Sequence, residues 1–119
     1  MSILGLSIGV DLILVILFVH YVFDWRFQTR WMAENKSSRL DALGLHVLIY
    51  FIGLLIIAAF TPLSITWALV NAILHFGVDF CSSKISRKAW LHHDKKRFWN
   101  TIGFDQFCHY AILFLTIGL

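Results

Sequence analysis

The sequence predicts an all-α membrane protein, a polytopic four-transmembrane-helix bundle with two basic cytoplasmic loops. The first observation is composition: 59% of the 119 residues are hydrophobic and only 14% are charged, against about 45–50% and about 25% in soluble domains. The second is a set of four long apolar runs. The third is that every Lys and Arg falls between these runs, in two segments. An ordinary soluble domain is therefore excluded, and we expect one transmembrane domain over residues 1–119.

The four apolar runs cover about residues 3–23, 43–60, 63–80 and 101–119. Each is close to the roughly 20 residues that cross a bilayer as a helix. The first run contains one charged residue, Asp11. Thr61-Pro62 separates the second run from the third, because proline suits the first position of a new helix. Polar loops over about residues 28–43 and 81–100 complete the predicted architecture.

The positively charged residues predict the orientation. All ten lie after the first span or after the third: Arg26, Arg30, Lys36, Arg39, Lys84, Arg87, Lys88, Lys95, Lys96 and Arg97. Because Lys and Arg concentrate in cytoplasmic loops, we expect both loops in the cytoplasm and both termini outside. The loops would contact anionic lipid headgroups. A nucleic-acid partner is disfavoured because topology already accounts for the charge, and a cleaved signal peptide is not expected because no basic segment precedes the first run.

The polar residues within the spans repeat one pattern, a His and an Asp one helical turn apart. The pairs are His20-x3-Asp24, His75-x3-Asp79 and Asp105-x3-His109, and His46 opens the second span. Residues four apart share a helix face, and the topology brings all seven side chains to the cytoplasmic ends of the helices. Because polar residues inside a membrane face a bundle interior or a cavity, we expect one shared cluster that faces the cytoplasm.

Imidazole and carboxylate together form the ligand set of catalytic zinc, manganese or iron sites. The cluster therefore predicts a divalent metal ion, and it contains enough groups for two. The expected metal ligands are His20, Asp24, His46, His75, Asp79 and His109, and the expected catalytic carboxylates are Asp24 and Asp105. Some carboxylates could instead orient the His rings. The alternative for the whole set is an inert hydrogen-bonded network that fixes the helix register.

Further polar residues lie near this cluster. Gln28 and Gln106 could orient ligands or substrate, or bond the helix ends. Asn71 is one turn before His75, so it could line the cavity or bond across helices. Asp11 lies about 180° round the helix from His20 at 100° per residue, and we expect it to contact another helix or, in a homo-oligomer, another subunit. Cys81 and Cys108 lack closely spaced partners, which predicts neither a disulfide framework nor a CxxC metal site.

The chain resembles a small bacterial and phage membrane family, domain of unknown function family 3307. The resemblance lies in His20-x3-Asp24-x3-Gln28, Lys36, His46, His75-x3-Asp79 and Asp105-Gln106-x2-His109, of which the last is the most specific. It covers nearly the whole chain. It implies a compact multi-span domain of the bacterial inner membrane whose polar residues, Lys36 included, are its signature. More distantly, the His/Asp layout is similar to that of small membrane-bound metal-dependent hydrolases.

Three functional hypotheses follow from these residues. The leading one is a membrane-embedded metal-binding protein, a metal-dependent hydrolase that acts on a substrate at the cytoplasmic headgroup level. The alternative is a proton or metal-ion transporter that uses the same His/Asp cluster, although few polar residues continue a path through the outer half. The third is a structural or accessory membrane protein with an inert polar network.

Overall fold

The computed structural model describes residues 2–3, 6–7 and 9–119 of the chain. Two strands of two residues each, β1 (Ser2–Ile3) and β2 (Leu6–Ser7), pair antiparallel. From Val10 onward the described elements are helical: α1 (Val10–His20), a π-helical segment (Tyr21–Arg26), α2 (Arg30–Asn35), α3 (Leu40–Phe60), α4 (Ile65–Leu91) and α5 (Lys95–Leu115). The predicted all-helical class is therefore confirmed, with the short strand pairing as an addition near the N-terminus.

Two element boundaries differ from the sequence prediction. The first helix begins at Val10 rather than near residue 3, and Leu4, Gly5 and Ile8 of the predicted first span lie outside the described residues. The second basic loop, expected over residues 81–100, is mostly helix, because α4 continues to Leu91 and α5 begins at Lys95. Residues 78–102 contain no Gly or Pro, and Lys, Arg and Ala favour helix.

A tight turn at residues 92–94 therefore joins two long helices. His93 takes a left-handed backbone conformation with φ of 59°, a region that His enters more readily than most residues. Asp94 caps α5, since its side chain accepts a hydrogen bond from the Arg97 backbone N–H at 3.1 Å, as acidic N-cap residues do. The first basic segment is also partly helical, because Thr29 caps α2 by accepting from Met32 N–H at 3.2 Å.

The helices form a bundle in which α4 packs against α3 and α5, and α1 packs against α3. An apolar core fills one end of the bundle, built from Ile16, Tyr50, Leu54, Ile57, Leu63, Trp67, Ala68, Leu113 and Ile117. Trp67 is fully buried there, and its indole N–H donates to the Leu113 carbonyl at 3.0 Å. This core supports the opposite end, where the buried residues become polar.

Gly53 permits a close approach between α3 and the π-helical segment. A Cβ atom at this position would lie 2.5 Å from Cγ and 2.9 Å from Cβ of Phe23. Both distances are shorter than ordinary contacts between non-bonded carbon atoms, which are about 3.5–4.0 Å. Only a residue without a side chain fits, and this packing sets the distance of the next residue, Asp24, from α3.

The bundle exposes many large apolar side chains and buries several ionisable ones, which is unusual for a soluble domain. Large apolar side chains are exposed along the long helices, among them Leu45, Leu48, Ile52, Ile56, Leu69, Ile73 and Leu74, while His and Asp residues are buried. By length and composition, α3 and α4 are the described helices that could cross a membrane. Exposed apolar side chains in this number are more than a monomeric soluble protein usually carries.

Candidate metal site

The seven His and Asp side chains predicted as one cluster lie together inside the bundle. They come from the end of α1, the π-helical segment, α3, α4 and α5, and each residue is at most 9% exposed: His20, Asp24, His46, His75, Asp79, Asp105 and His109. Within each of the three pairs that are one turn apart, imidazole nitrogen and carboxylate oxygen are 3.1 to 3.4 Å apart. The spacing along the chain therefore produces the contact that helical geometry predicts.

Four of these side chains bring one atom each to a common point, which we call the four-atom group. His46 Nε2 lies 3.0 Å from Asp24 Oδ1 and 3.1 Å from Asp79 Oδ2. His75 Nε2 lies 3.2 Å from Asp24 Oδ1 and 3.4 Å from Asp79 Oδ2. The two nitrogens are 3.2 Å apart, and all four atoms lie within 4.8 Å of one another.

The spacing of the four-atom group suits a metal ion better than hydrogen bonds alone. A neutral imidazole carries one N–H, so two Nε2 atoms supply at most two hydrogens to four close approaches by oxygen. A tetrahedral zinc ion with ligands at about 2.0–2.1 Å has ligand–ligand edges of roughly 3.3–3.4 Å. The observed distances of 3.0 to 3.4 Å fall at or just below that value. The group has the size and the His2Asp2 composition of a divalent-metal site.

The second oxygen of each carboxylate is held by a neighbouring side chain. Asp24 Oδ2 lies 3.3 Å from both His20 Nε2 and Gln106 Nε2. Asp79 Oδ1 lies 3.0 Å from His109 Nε2. Hydrogen bonds of this kind fix the orientation of ligating groups. Gln106 and His109 therefore support the two carboxylates through hydrogen bonds. His20 Nε2 bonds to Gln106 Oε1 at 2.9 Å, and neither His20 nor His109 contributes an atom to the four-atom group.

Two stacked rings fix how His75 can bind. The rings of His75 and His109 stack at 4.0 Å, and their Nδ1 atoms are 3.1 Å apart. When His75 Nε2 offers its lone pair to an ion, its hydrogen is on Nδ1 and is donated to His109 Nδ1. The hydrogen of His109 is then on Nε2, where it faces Asp79 at 3.0 Å and Asp105 at 3.1 Å.

Asp79, Asp105 and His109 form a second group whose atoms could hold an ion. Binding there would require the lone pair of His109 Nε2, which places the His109 hydrogen on Nδ1. That hydrogen would be donated to His75 Nδ1, so the His75 hydrogen would move to Nε2 and block the four-atom group. With both rings neutral and the bond between them intact, the two groups are alternatives.

His46 is held differently from the other rings. Its Nδ1 is buried and has no hydrogen-bond partner among the described residues. The ring lies 5.2 Å from His75, centroid to centroid, and its Nε2 makes the contacts described above. Packing and the Nε2 contacts therefore orient His46.

The remaining predicted residues fall into two locations. Lys36 Nζ lies 3.3 Å from Asp79 Oδ2, and Gln106 bridges Asp24 and Asp105 at 3.3 Å each. Asn71 lies away from the cluster, where its amide donates to the Trp67 carbonyl at 2.9 Å and to Thr116 Oγ1 at 2.8 Å. It ties α4 to the end of α5 rather than contacting the His and Asp residues.

A cavity of about 230 Å³, lined by both polar and apolar side chains, opens beside the cluster. The wall of the cavity that faces the cluster is formed by Asp24, Asp105 and Gln106. The other residues that line the cavity are Trp25, Gln28, Ala33, Lys36, Ser82, Ser83, Ser86, Phe98, Thr101 and Ile102. The cavity therefore connects the buried carboxylates to the basic end of the bundle. Gln28 belongs to this cavity and not to the cluster itself.

Sequence reasoning missed two residues of the site. Tyr50 lies one turn after His46, stacks on His75 at 4.0 Å between ring centroids, and is 3.1 Å from His20 Nδ1 through its hydroxyl. Ser82 donates a short hydrogen bond to Asp105 Oδ1. The His46-x3-Tyr50 spacing could have identified the first. A serine three residues after Asp79 carries no comparable signal.

The fold and the site define an all-helical protein with a buried His/Asp centre whose atoms lie at metal-ligand spacing. The chain belongs to the family described as a protein of unknown function, domain of unknown function family 3307, whose profile matches residues 12–118. The resemblance seen in the sequence is therefore confirmed as membership of that family. No curated protein and no solved structure matches the chain.

Proposed function

We propose that this chain is a membrane-embedded metalloprotein that binds one divalent ion in the four-atom group and hydrolyses a substrate at the headgroup level on the cytoplasmic side. The observation that carries the proposal is the four-atom group itself, in which atoms of His46, His75, Asp24 and Asp79 lie 3.0 to 3.4 Å apart. We propose one ion rather than two because, with His75 and His109 both neutral, the hydrogen bond between them allows only one of the two groups to bind.

The distribution of polarity supports a position in the membrane. Two helices, α3 and α4, are long and apolar enough to cross a bilayer, and exposed Leu and Ile side chains cover them. We propose that α1 with the π-helical segment and α5 cross beside them, which gives four spans. All ten Lys and Arg lie at or beyond the cluster end of the bundle, so the positive-inside rule would place the cavity at the cytoplasmic boundary.

The residues around the four-atom group have the roles that hydrolysis requires. A bound divalent ion would lower the pKa of water and polarise a phosphoryl or carbonyl oxygen. Asp105 lines the cavity and lies outside the four-atom group, so we assign it the proton of the attacking water. The bond to the leaving group would break as the new bond to the water oxygen forms, and the leaving group would take up the proton that Asp105 received from the water. Asp24 and Asp79 hold the ion in place.

A conduit for ions or protons is less well supported. Beyond Tyr50, the bundle interior consists of the apolar core that includes Leu54, Ile57 and Trp67. Asn71 and Thr116 are polar but bond to each other and to backbone carbonyls. Among the described residues of this end, a transported ion would find no exchangeable ligands inside the bundle, and desolvation there is costly.

Elemental analysis of the detergent-purified protein tests the proposal. We expect about one equivalent of zinc, manganese or iron in the wild type and none in a folded His75→Ala, Asp79→Ala variant. A His92→Ala variant is the matched control, because His92 is exposed, lies in the turn, and can be replaced while His93 keeps its left-handed conformation. The metal content of this control should equal that of the wild type.

Hydrolysis is then measured with chromogenic phosphomonoester, phosphodiester and carboxylic-ester probes. We expect turnover of at least one probe, and an Asp105→Asn variant should keep its metal and lose that turnover. Absence of metal after reconstitution with all three ions would refute the proposal. Stoichiometric metal without hydrolysis of any probe would refute the hydrolase assignment and leave a metal-binding membrane protein.

A further inference from the structure

The cavity beside the cluster contains polar atoms that the protein leaves without partners. Ser83 is 6% exposed and its Oγ has no hydrogen-bond partner among the described residues. The same holds for Gln28 Oε1, which is buried on another wall of the same cavity. Buried polar groups are nearly always bonded to protein or to another molecule. Two such atoms in one cavity indicate that it is built around a polar ligand.

The hydroxyl groups of the cavity differ in what they can still donate. Ser82 donates to Asp105, Ser86 donates to the Ser83 carbonyl, and Thr101 donates to the Arg97 carbonyl. The Ser83 hydroxyl hydrogen has no such acceptor among the described residues. Lys36 adds an ammonium group with three N–H donors, of which one faces Asp79 at 3.3 Å. The free donors therefore come from Ser83 and Lys36, and they favour a ligand with acceptor oxygens. Gln28 Oε1 is an acceptor, so it would take the hydrogen of a hydroxyl group on that ligand.

The position of Lys36 indicates that the ligand is negatively charged. Its Nζ approaches Asp79 Oδ2, which is itself an atom of the four-atom group. A ligand oxygen at the ion would therefore be adjacent to the ammonium group. Lysine beside a divalent ion is a common arrangement for binding phosphate oxygens.

The surrounding carboxylates make binding of an anion conditional on the metal. With the four histidines neutral, Asp24, Asp79 and Asp105 would together carry three negative charges against the single positive charge of Lys36. A divalent ion cancels the excess, and without it an anion would be repelled at close range. The cavity of about 230 Å³ is smaller than the roughly 300–1,000 Å³ of sites for drug-sized ligands. It would accommodate one small charged group and not a large organic molecule.

We propose that the cavity binds a phosphoryl group, so that the substrate of this site is a phosphate ester. The group would place one oxygen toward the ion and others toward Lys36 and Ser83. This assignment rests on the proposed function, because the ion supplies most of the positive charge. The phosphoryl group could belong to a lipid headgroup or to a small soluble molecule, and the experiment below separates these sources.

Isothermal titration calorimetry of detergent-solubilised protein, loaded with the metal that elemental analysis identifies, tests the assignment. The probes are inorganic phosphate, dihexanoyl phosphatidic acid and acetate. We expect binding of phosphate, phosphatidic acid or both, and weaker or no binding of acetate. Metal-free protein should bind none of them. Binding of phosphatidic acid alone would support a lipid as the source of the phosphoryl group. Binding of both phosphatidic acid and inorganic phosphate would support a site that recognises the phosphoryl group itself.

Two variants place the ligand in the cavity. Ser83→Ala removes a hydroxyl without a partner among the described residues, so folding and metal content should be unchanged while affinity falls roughly tenfold, as for one hydrogen bond to a charged group. Gln28→Glu introduces a negative charge on a side chain of equal size. This variant should weaken binding of the phosphate probes by at least as much as Ser83→Ala does. Ser38→Ala is the matched control, because Ser38 is exposed and bonded to the Asn35 carbonyl outside the cavity.

The outcomes distinguish this assignment from the proposed function. Metal-loaded protein that binds neither phosphate probe, or that prefers acetate, would overturn the phosphoryl assignment and leave the metal site intact. A Ser83→Ala variant with wild-type affinity would also overturn it. Protein that takes up no metal would overturn the proposed function first.

Discussion

The contact between Gly53 and Phe23 gives a sharp test of the structure, because it links helix packing to the metal site. In a Gly53→Ala variant the new Cβ would lie 2.5, 2.7 and 2.9 Å from Cγ, Cδ2 and Cβ of Phe23. The Phe23 Cβ is attached directly to the backbone, so rotation of the ring cannot relieve that contact. The π-helical segment must move away from α3.

The expected energy follows from two opposing effects. Overpacking of this kind costs about 1–3 kcal/mol, whereas replacing Gly by Ala within a helix gains about 0.5–1 kcal/mol. We expect Gly53→Ala to lower the free energy of unfolding by roughly 1 kcal/mol or more, about a fivefold change in the ratio of folded to unfolded protein. Because Asp24 follows Phe23, the same movement should lower the metal affinity.

Reversible unfolding in mixed detergent and SDS micelles, followed by tryptophan fluorescence, measures the stability, and competition with a chelator measures the metal affinity. Gly44→Ala is the matched control in the same helix, since a Cβ there meets no atom within 4 Å. It should gain about 0.5–1 kcal/mol from the helix preference alone. A Gly53→Ala variant as stable as Gly44→Ala, with unchanged metal affinity, would show that Phe23 does not pack against Gly53.

Two further variants test separate parts of the bundle. His109→Ala should lower the metal affinity about 10–100-fold, because His109 orients His75 and Asp79 without contacting the ion. Competition with a chelator measures this affinity. Complete loss of metal would instead make His109 a ligand. Trp67→Phe removes the donor to the Leu113 carbonyl and should cost about 1–3 kcal/mol of stability with metal content unchanged. A Trp99→Phe variant, altered at a residue that is 60% exposed, serves as its control, and equal stability of the two would argue against the buried bond.

The existence of the buried cluster could be predicted from the sequence because it depends on periodicity alone. His75 and Asp79 share a helix face whatever the rest of the fold, and Asp105 and His109 do the same on α5. The positions of the Lys and Arg residues then predict the direction of each span, and this direction places the pairs at one end of the bundle. Neither step requires knowledge of side-chain rotamers.

The division of labour within the cluster could not be predicted in this way. His20 has an Asp one turn away and His46 does not, yet only His46 contributes to the four-atom group. That difference depends on how closely the π-helical segment approaches α3, which is a long-range contact set by Gly53 and Phe23. The role of Ser83 could not be predicted from the sequence either, since it comes from the cavity that residues of α2, α4 and α5 help to enclose.

The long helical extensions were missed for a different reason. Dense charge in residues 81–100 suggests a loop when apolar length is the criterion, but charge does not prevent helix formation. The structure continues α4 and α5 beyond the apolar runs, and Trp90 packs against Phe98 across the turn at 5.1 Å between ring centroids.

The π-helical segment makes the site depend on the number of residues in the chain as well as on their identity. Its wider turn, seen in the Phe27 N–H bond to the Val22 carbonyl at 2.8 Å, accommodates one residue more than an α-helical turn would. If the same residues formed an ordinary α-helix without the wide turn, the later side chains would be rotated by one residue, about 100°. Asp24 would then leave His46, although every ligand would still be present in the sequence. A one-residue insertion in this segment would cause the same rotation, and it is therefore a more severe change to the site than most substitutions around it.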